Sequence, residues 1–276
     1  SAATNVQQVL NNQIGFRFSS DNTLGTSDVQ LMGMNGRNVK ILLDGMPMVD
    51  RGDTRESLNQ IDVNSIERIE IVEGPMSVSY GSDALAGVIN IITKKNKTDN
   101  FSVTAKVQEE TAGTEYHPFS YKGVHHQNIN LNYKKNSWGF TAGGTHNDFN
   151  GFGGDEFGRG KAWRPKEQWL GNARIGYDKG PLNAYYRIDV LDETITNRSP
   201  INYSNYKAID QRYFTNRITQ QLQGSYSFNN KLQLATLLGY TNYKRQTKTT
   251  RHDFEKGTDE LTTGDGEQDI AKFNNL

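Results

Sequence analysis

The sequence predicts a small α+β domain followed by antiparallel β-strands of the transmembrane-barrel type. Three observations carry this. Helical and strand signals mix up to about residue 98, whereas from residue 99 onward apolar and polar residues alternate at period two. The connections between those later segments alternate between short and long. Aromatic residues gather beside the short ones.

In the first region, residues 1–98, Asn5–Asn12 places Val6, Val9 and Leu10 at helical spacing, and Ile14-Gly15-Phe16 breaks that pattern. Val39–Leu43 is a short apolar run closed by Asp44-Gly45 and Pro47, the signature of a buried strand ending in a turn. Asn64 or Ser65 caps a short turn, and Ile69–Val72 reads as a second strand. Gly74-Pro75 stops it, with Pro75 suited to the first position of a short helix. Tyr80-Gly81-Ser82-Asp83 reads as a turn. Gly87 then precedes a nearly continuous apolar strand, Val88–Thr93, expected to be buried on both faces.

In the second region, residues 99–276, seven segments alternate: 101–110, 124–134, 138–148, 168–178, 182–192, 216–228 and 231–243. Each has the length of a membrane-spanning strand, roughly 9–11 residues or slightly more. The fifth shows the pattern plainly, with Leu182, Ala184, Tyr186, Ile188 and Val190 on one face and Asn183, Arg187 and Asp189 on the other. Short turns fall at Lys135-Asn136-Ser137, Lys179-Gly180-Pro181 and Asn229-Asn230. Long polar connections are expected at Thr111–Gly123, Phe149–Glu167 and Glu193–Thr215. A soluble sandwich or solenoid with one wet face shares the alternation but has no reason to alternate its connection lengths. Tyr133, Trp138, Tyr177, Tyr226 and Phe228 sit beside the short turns, where an interfacial girdle belongs.

Composition narrows the function classes. Thirty-one Lys+Arg balance 31 Asp+Glu across 276 residues, so no basic excess argues for nucleic acid. The absence of cysteine excludes disulfides, thiolate metal sites and cysteine nucleophiles. No apolar run approaches the ~18 residues of a transmembrane helix. The start of the chain has no basic stretch followed by an apolar one, so any signal peptide is expected to have been removed or never included. No nucleophile elbow, zincin or P-loop pattern occurs, and the glycine-rich run Phe149–Gly160 does not open a helix after a buried strand, so it is not a phosphate cradle. No catalytic residue, metal site or cofactor is expected.

Two strings are more specific. Gln30–Pro47 (QLMGMNGRNVKILLDGMP) and Ile61–Lys95 (IDVNSIERIEIVEGPMSVSYGSDALAGVINIITKK) together resemble the plug of TonB-dependent outer-membrane receptors, in a form nearest to those of Bacteroidetes-type bacteria. Asp44, Gly45, Gly74, Pro75, Tyr80, Gly81 and Gly87 are its structural motif residues. The resemblance implies a plug in the lumen of a barrel of about 22 strands, placed in the Gram-negative outer membrane. It implies energy-coupled uptake of a scarce ligand such as a ferric siderophore, haem or cobalamin. The implied partners are TonB, through an N-terminal box expected before Asn5 and absent from this chain, the outer-membrane lipid and a small metal chelate, with a surface lipoprotein as a further partner. An adhesin or a protein- or glycan-binding scaffold on the same fold is the rival reading, and a passive porin is disfavoured because a plug blocks diffusion. Residues 101–276 hold seven strands at about 25 residues each, so a barrel of about 22 strands needs roughly 550 residues after the plug. The chain is therefore expected to hold an incomplete plug and the first seven or eight strands.

Many members of that family carry arginine where this chain has Met32 and Glu73, and those arginines pair with barrel glutamates. That pairing is not expected here, and Arg37 or Arg68 are the available substitutes. Ligand contact is expected at the plug apex, through Met46, Met48, Arg51 and Arg55. It is also expected in the long connections, through Tyr116, Phe119, Phe152 and Trp163, with Tyr121, Phe149 and Phe157 on the same surface. His125 and His126 point to opposite faces of a strand and cannot share a metal. His117 and His146 stand where an axial haem ligand could arise, although a solvated histidine is the plainer reading. Asp148, Asp155 and Glu156 lack the spacing of a calcium loop.

Overall fold

The computed structural model describes residues 3, 5–11, 13, 15–21, 26–49, 56–76, 84–95, 99–154, 159–262 and 272–273. It shows two sequential parts. In the first, helix α1 (Val6–Leu10) starts where the Asn5 side chain accepts the Gln8 backbone N–H at 2.9 Å. Val6 and Leu10 point into the core. Strands β1 (Phe16–Asp21), β2 (Thr26–Leu31) and β3 (Met34–Asn35) form a small antiparallel sheet. The sequence gives no strand signal for β1 and β2, because each holds only two large apolar residues: Phe16 and Phe18, Val29 and Leu31.

β4 (Val39–Leu43), β5 (Met46–Pro47), β6 (Ile66–Glu73) and β7 (Gly87–Thr93) form a second sheet in the order β5-β4-β7-β6. β7 lies parallel to β4 and antiparallel to β6, so it is covered on both edges and mostly buried on both faces. Short 3-10 turns over Glu56–Asn59 and Val63–Ser65 connect β5 to β6, the second capped by Asp62 rather than by Asn64 or Ser65. The core joins Val6 and Leu10 to Leu31, Ile41, Ile89 and Ile91. Gly87 is required by space. A Cβ there would lie 2.3 Å from the Val72 carbonyl oxygen, at φ +149°. Residues 74–76 are irregular, without the helical start expected at Pro75, and Tyr80 and Gly81 lie outside the described residues.

The second part is one antiparallel meander: β8 (Asn100–Glu110), β9 (Val124–Lys135), β10 (Trp138–Phe149), β11 (Lys166–Lys179), β12 (Leu182–Arg198), β13 (Lys207–Asn229), β14 (Leu232–Asp253) and β15 (Thr258–Thr262). β16 (Lys272–Phe273) adds a two-residue pairing to β14. The three short turns fall at the expected positions. The third long connection does not. Residues expected to form a loop over 193–215 are mostly strand, because β12 runs on to Arg198 and β13 begins at Lys207. The outward apolar alternation stops at Val190 while strand pairing continues, so the sequence signal ends where the apolar band ends and not where the strand ends.

The register assigns the faces. Phe101, Tyr133, Phe140, Ile175, Tyr186 and Leu222 lie side by side across six strands, and the next outward row holds Val103, Leu131, Ala142, Ala173 and Ile188. Such rows form an outward apolar band. Trp138 packs edge-on against Tyr177 at 4.9 Å and Tyr226 against Phe228 at 4.8 Å, both pairs beside short turns. Among the described residues no helix is long and apolar enough to cross a membrane.

Candidate functional site

The face opposite the apolar band is covered by the first domain through polar contacts. At the end of β4, Asp44 turns the chain with φ +49° and is followed by Gly45 at φ +85°. Its carboxylate accepts the Thr93 N–H at 2.9 Å and the Thr93 hydroxyl at 2.6 Å, and lies 3.9 Å from the Arg174 guanidinium of β11. Its carbonyl oxygen accepts the side-chain amides of Gln221 and Gln223 of β13. Arg174 in turn stacks on Tyr185 of β12 at 3.5 Å.

A second cluster holds the 3-10 turn Glu56–Asn59 against the wall. The side chain of Gln60 donates to Glu193 of β12 at 3.0 Å and accepts from Arg217 of β13 at 3.0 Å. Arg217 also donates to the Gln60 carbonyl at 2.9 Å. Glu193 is completed by the Lys166 ammonium at 3.0 Å and by the Gln168 amide, whose Nε2 also donates to the Asn59 carbonyl. Gln60, Glu193, Gln168 and Arg217 are all buried. Burial opposes the charge on Glu193, but the Lys166 ammonium and the Gln168 and Gln60 amides outweigh it and hold the carboxyl below its usual range. Asn59 continues the chain to Gln7 of α1 at 2.8 Å. A third contact joins Asn64 to His126 at 3.3 Å.

The expected ligand residues do not assemble into one site. Met46 is buried, and its sulfur occupies the space a Cβ at Gly239 of β14 would need. Met48 is half-buried against the core of the first domain. The apex expected at these two methionines is therefore a packed contact, because the Asp44-Gly45 turn is bound to the wall. Arg51 and Arg55 lie outside the described residues, as do Asp155, Glu156 and Phe157. Tyr116 and Phe119 belong to the outer side of the wall. Glu109, outward by its pairing with His125, accepts the Phe119 N–H at 3.0 Å and the Tyr116 hydroxyl at 3.4 Å, which folds the β8–β9 connection over the outer face. Phe152 and Trp163 pair as a β-bridge, and the Phe152 ring packs on Gly113 of the β8–β9 connection.

The histidines have structural places. His125 and His126 point to opposite faces and are both buried, His125 against Glu109 and His126 against Asn147. His146 stacks on Trp169 at 3.9 Å on the outer face, which removes it as an axial ligand within the lumen. The Nδ1 of His117 lies 3.1 Å from the Ser120 carbonyl. Met32 is exposed, so the usual cation position does not contact the wall within this chain. Arg68 pairs with Glu70 on its own strand and does not replace it. The polarity is reversed: the wall supplies the arginines, Arg174 and Arg217, and the first domain supplies Asp44 and Gln60.

Comparison with known proteins agrees with this architecture. Residues 1–88 match the TonB-dependent Receptor Plug Domain family. The chain is 39% identical over 98 residues to an iron-regulated outer membrane virulence protein of Vibrio cholerae, covering 32% of this chain and 15% of that protein. It is 33% identical over 107 residues to the ferrienterobactin receptor of Escherichia coli, covering 34% of this chain and 14% of that protein. The solved structure of the copper transporter OprC superposes with a TM-score of 0.59 at 13% identity, covering 94% of this chain and 47% of that one. The chain thus spans less than half the length of each of these proteins.

Proposed function

We propose that this chain, a TonB-dependent receptor by its plug domain, forms the plug and first wall strands of an outer-membrane transporter. That transporter takes up a scarce metal chelate, a ferric siderophore or a related haem or cobalamin complex, with energy delivered by TonB. The observation that carries the reading is the character of the plug–wall contact. The plug is held by Asp44, Gln60 and Asn64 against Arg174, Glu193, Arg217, Gln221 and His126. Hydrogen bonds can be exchanged for water when the plug shifts, whereas a greasy interface would expose apolar surface. A plug that must move under tension within a wet lumen needs such an interface, and a permanently fixed core does not.

Names of relatives guide the ligand class: iron-regulated and ferrienterobactin receptors, and a vitamin B12 transporter of Vibrio vulnificus at 36% identity over 104 residues. The test is uptake of radiolabelled ferric catecholate, haem and cobalamin by cells expressing the full-length receptor, with and without a proton uncoupler. Accumulation of one ligand that collapses with the uncoupler is expected. Absent or uncoupler-insensitive uptake of all three overturns the assignment and favours an adhesive role.

A further inference from the structure

We propose that the plug and the wall together form a binding site for a small oxyanion of the phosphate class, inside the lumen at its short-turn end. Its assignment to the periplasmic side rests on the barrel reading above. Two glycines shape the site. Gly139 of β10 stands directly opposite Gly176 of β11, one row from the outward Phe140 and Ile175, so both glycines belong to the inward face. Neither has a positive φ, so the backbone itself does not ask for glycine at these positions. A Cβ at Gly139 would meet nothing within 4 Å. Two neighbouring side chains are thus missing from the wall, and the bare strands make the floor of a dent. The dent opens on a cavity of about 80 Å³, several times the space one water needs.

Cations reach this cavity from both sides of the plug–wall seam. Lys95 comes from the plug, two residues beyond the end of β7, and Lys134 of β9 and Arg174 of β11 come from the wall. Among the described residues that line the cavity, Asp178 is the one carboxylate. Asp44 faces Arg174 at 3.9 Å without lining the cavity, and Asp99 is turned to the Asn136 N–H at 3.0 Å. Three cations against Asp178 and Asp44 leave the site positive. Tyr185 of β12 brings two of the cations together, with the Arg174 guanidinium 3.5 Å and the Lys95 ammonium 5.9 Å from its ring centroid. The Tyr185 hydroxyl is buried and has no hydrogen-bond partner among the described residues, an unfavourable state that an acceptor oxygen would relieve.

The donor set selects the ligand. Nη1 of Arg174 is turned to the Thr93 hydroxyl at 3.4 Å and to Asp44, so Nε and Nη2 are the donors left to a ligand. A guanidinium edge and two ammonium groups can donate to several oxygens of one oxyanion at once, which a halide cannot match. The sheet itself separates the cavity from lipid, and its size fits a small anion rather than a peptide. Without an anion, Lys95 repels Lys134 and Arg174 across the seam; an anion between them turns that repulsion into attraction. The anion is therefore a removable tie between plug and wall, added to the contacts of Asp44 and Gln60.

The test uses the full-length receptor in detergent, with inorganic phosphate replacing chloride at constant ionic strength. Calorimetric titration reads binding, and the urea midpoint reads plug release. The wild type is expected to bind phosphate with a Kd of about 1 mM or tighter, and to release its plug at a higher urea concentration in phosphate than in chloride. Phosphate strengthens any fold by its exclusion from protein surface, so the specific part is read against Gly139→Val. That variant keeps every cation and fills the dent with a strand-favouring side chain. It should bind phosphate about tenfold more weakly or worse and keep only the general salt effect on the midpoint. K95Q/K134Q should do the same, and K95R/K134R should retain both the affinity and the specific shift. Absence of phosphate binding in the wild type overturns the site, as does wild-type affinity in Gly139→Val. So does an equal loss in K135Q/K179Q, which removes two exposed cations at the neighbouring short turns outside the cavity and would reduce the effect to diffuse charge. The uptake assay can fail while phosphate still binds, so the site and the transport reading stand or fall separately.

Discussion

At the scale of single residues, Asp44 shows how much one side chain can hold. It satisfies a buried N–H and a buried hydroxyl of Thr93 and faces Arg174. Asp44→Ala leaves those donors without their acceptor in a site closed to water, at a cost of about 3–5 kcal/mol. Asp44→Asn keeps one acceptor oxygen and tolerates the positive φ, so it should cost about 1–2 kcal/mol. Hydrogen exchange of residues 39–47 and 87–93 in the full-length receptor reads the difference. Equal protection in wild type and Asp44→Ala would refute this role. Gly87→Ala should be worse tolerated than a substitution at Gly74, where a Cβ meets nothing within 4 Å. The yield of plug resistant to proteolysis compares the two. The Asp-Gly turn and the glycine before β7 were legible in the sequence, since turn chemistry is local. The partners of Asp44 were not, because Gln221 and Gln223 lie far along the chain and their polar face could belong to any lumen contact.

At the scale of elements, β12 carries the most informative difference between sequence and structure. Its apolar alternation, from Leu182 to Val190, was readable. Its continuation to Arg198 was not, because above the band the outward face turns polar at Asp192, Thr194 and Thr196 while Leu191 and Ile195 face inward, so the apolar alternation changes face while the ladder persists. That continuation delivers Glu193 to Gln60, so a residue read as the start of a loop is the centre of the plug latch. Glu193 titrates below the ordinary value of 4.5 for a glutamate. The stabilisation it supplies is therefore fully present above about that pH and is lost as pH falls through the lower folded-state value. The urea midpoint for plug release, followed from pH 7 to pH 3, should drop across that acid range in the wild type. In Glu193→Gln this component of the drop should be missing. Gln60→Glu should loosen the plug at neutral pH, by setting a second carboxylate against Glu193, and should recover on acidification. A pH profile identical in wild type and Glu193→Gln would sink the latch.

At the scale of the whole molecule, the sheet is open. Among the described residues β8 pairs only with β9, and beyond β13 the strand β14 finds partners only at Thr241–Asn242 and Thr249–Asp253. The segment 232–240 thus presents one unpaired ladder edge among the described residues, and Leu232, Leu234, Leu237, Leu238 and Tyr240 are all exposed there. Leu237 faces the lumen side, where Met46 at Gly239 is the plug's contact with this strand. An exposed, flat, apolar edge is a template for pairing with another chain. In lipid it also leaves N–H and C=O groups without partners, at several kcal/mol each. The two free edges cannot satisfy each other through eight strands, because the plug already occupies the space that closure of so small a barrel would fill with side chains. The isolated 276-residue chain should therefore associate through β8 and β14 rather than insert as a monomer, and should transport no ligand. Cross-linking between cysteines introduced at Val103 and Thr236, both on the outward face, should give ladders of oligomers in the isolated chain. In the full-length receptor the same pair should stay monomeric, with the amides of 232–240 protected from exchange. A monomeric, ion-tight pore formed by the isolated chain in a bilayer would overturn the open-edge argument, since it would require the free ladders of β8 and β14 to close on each other around the plug.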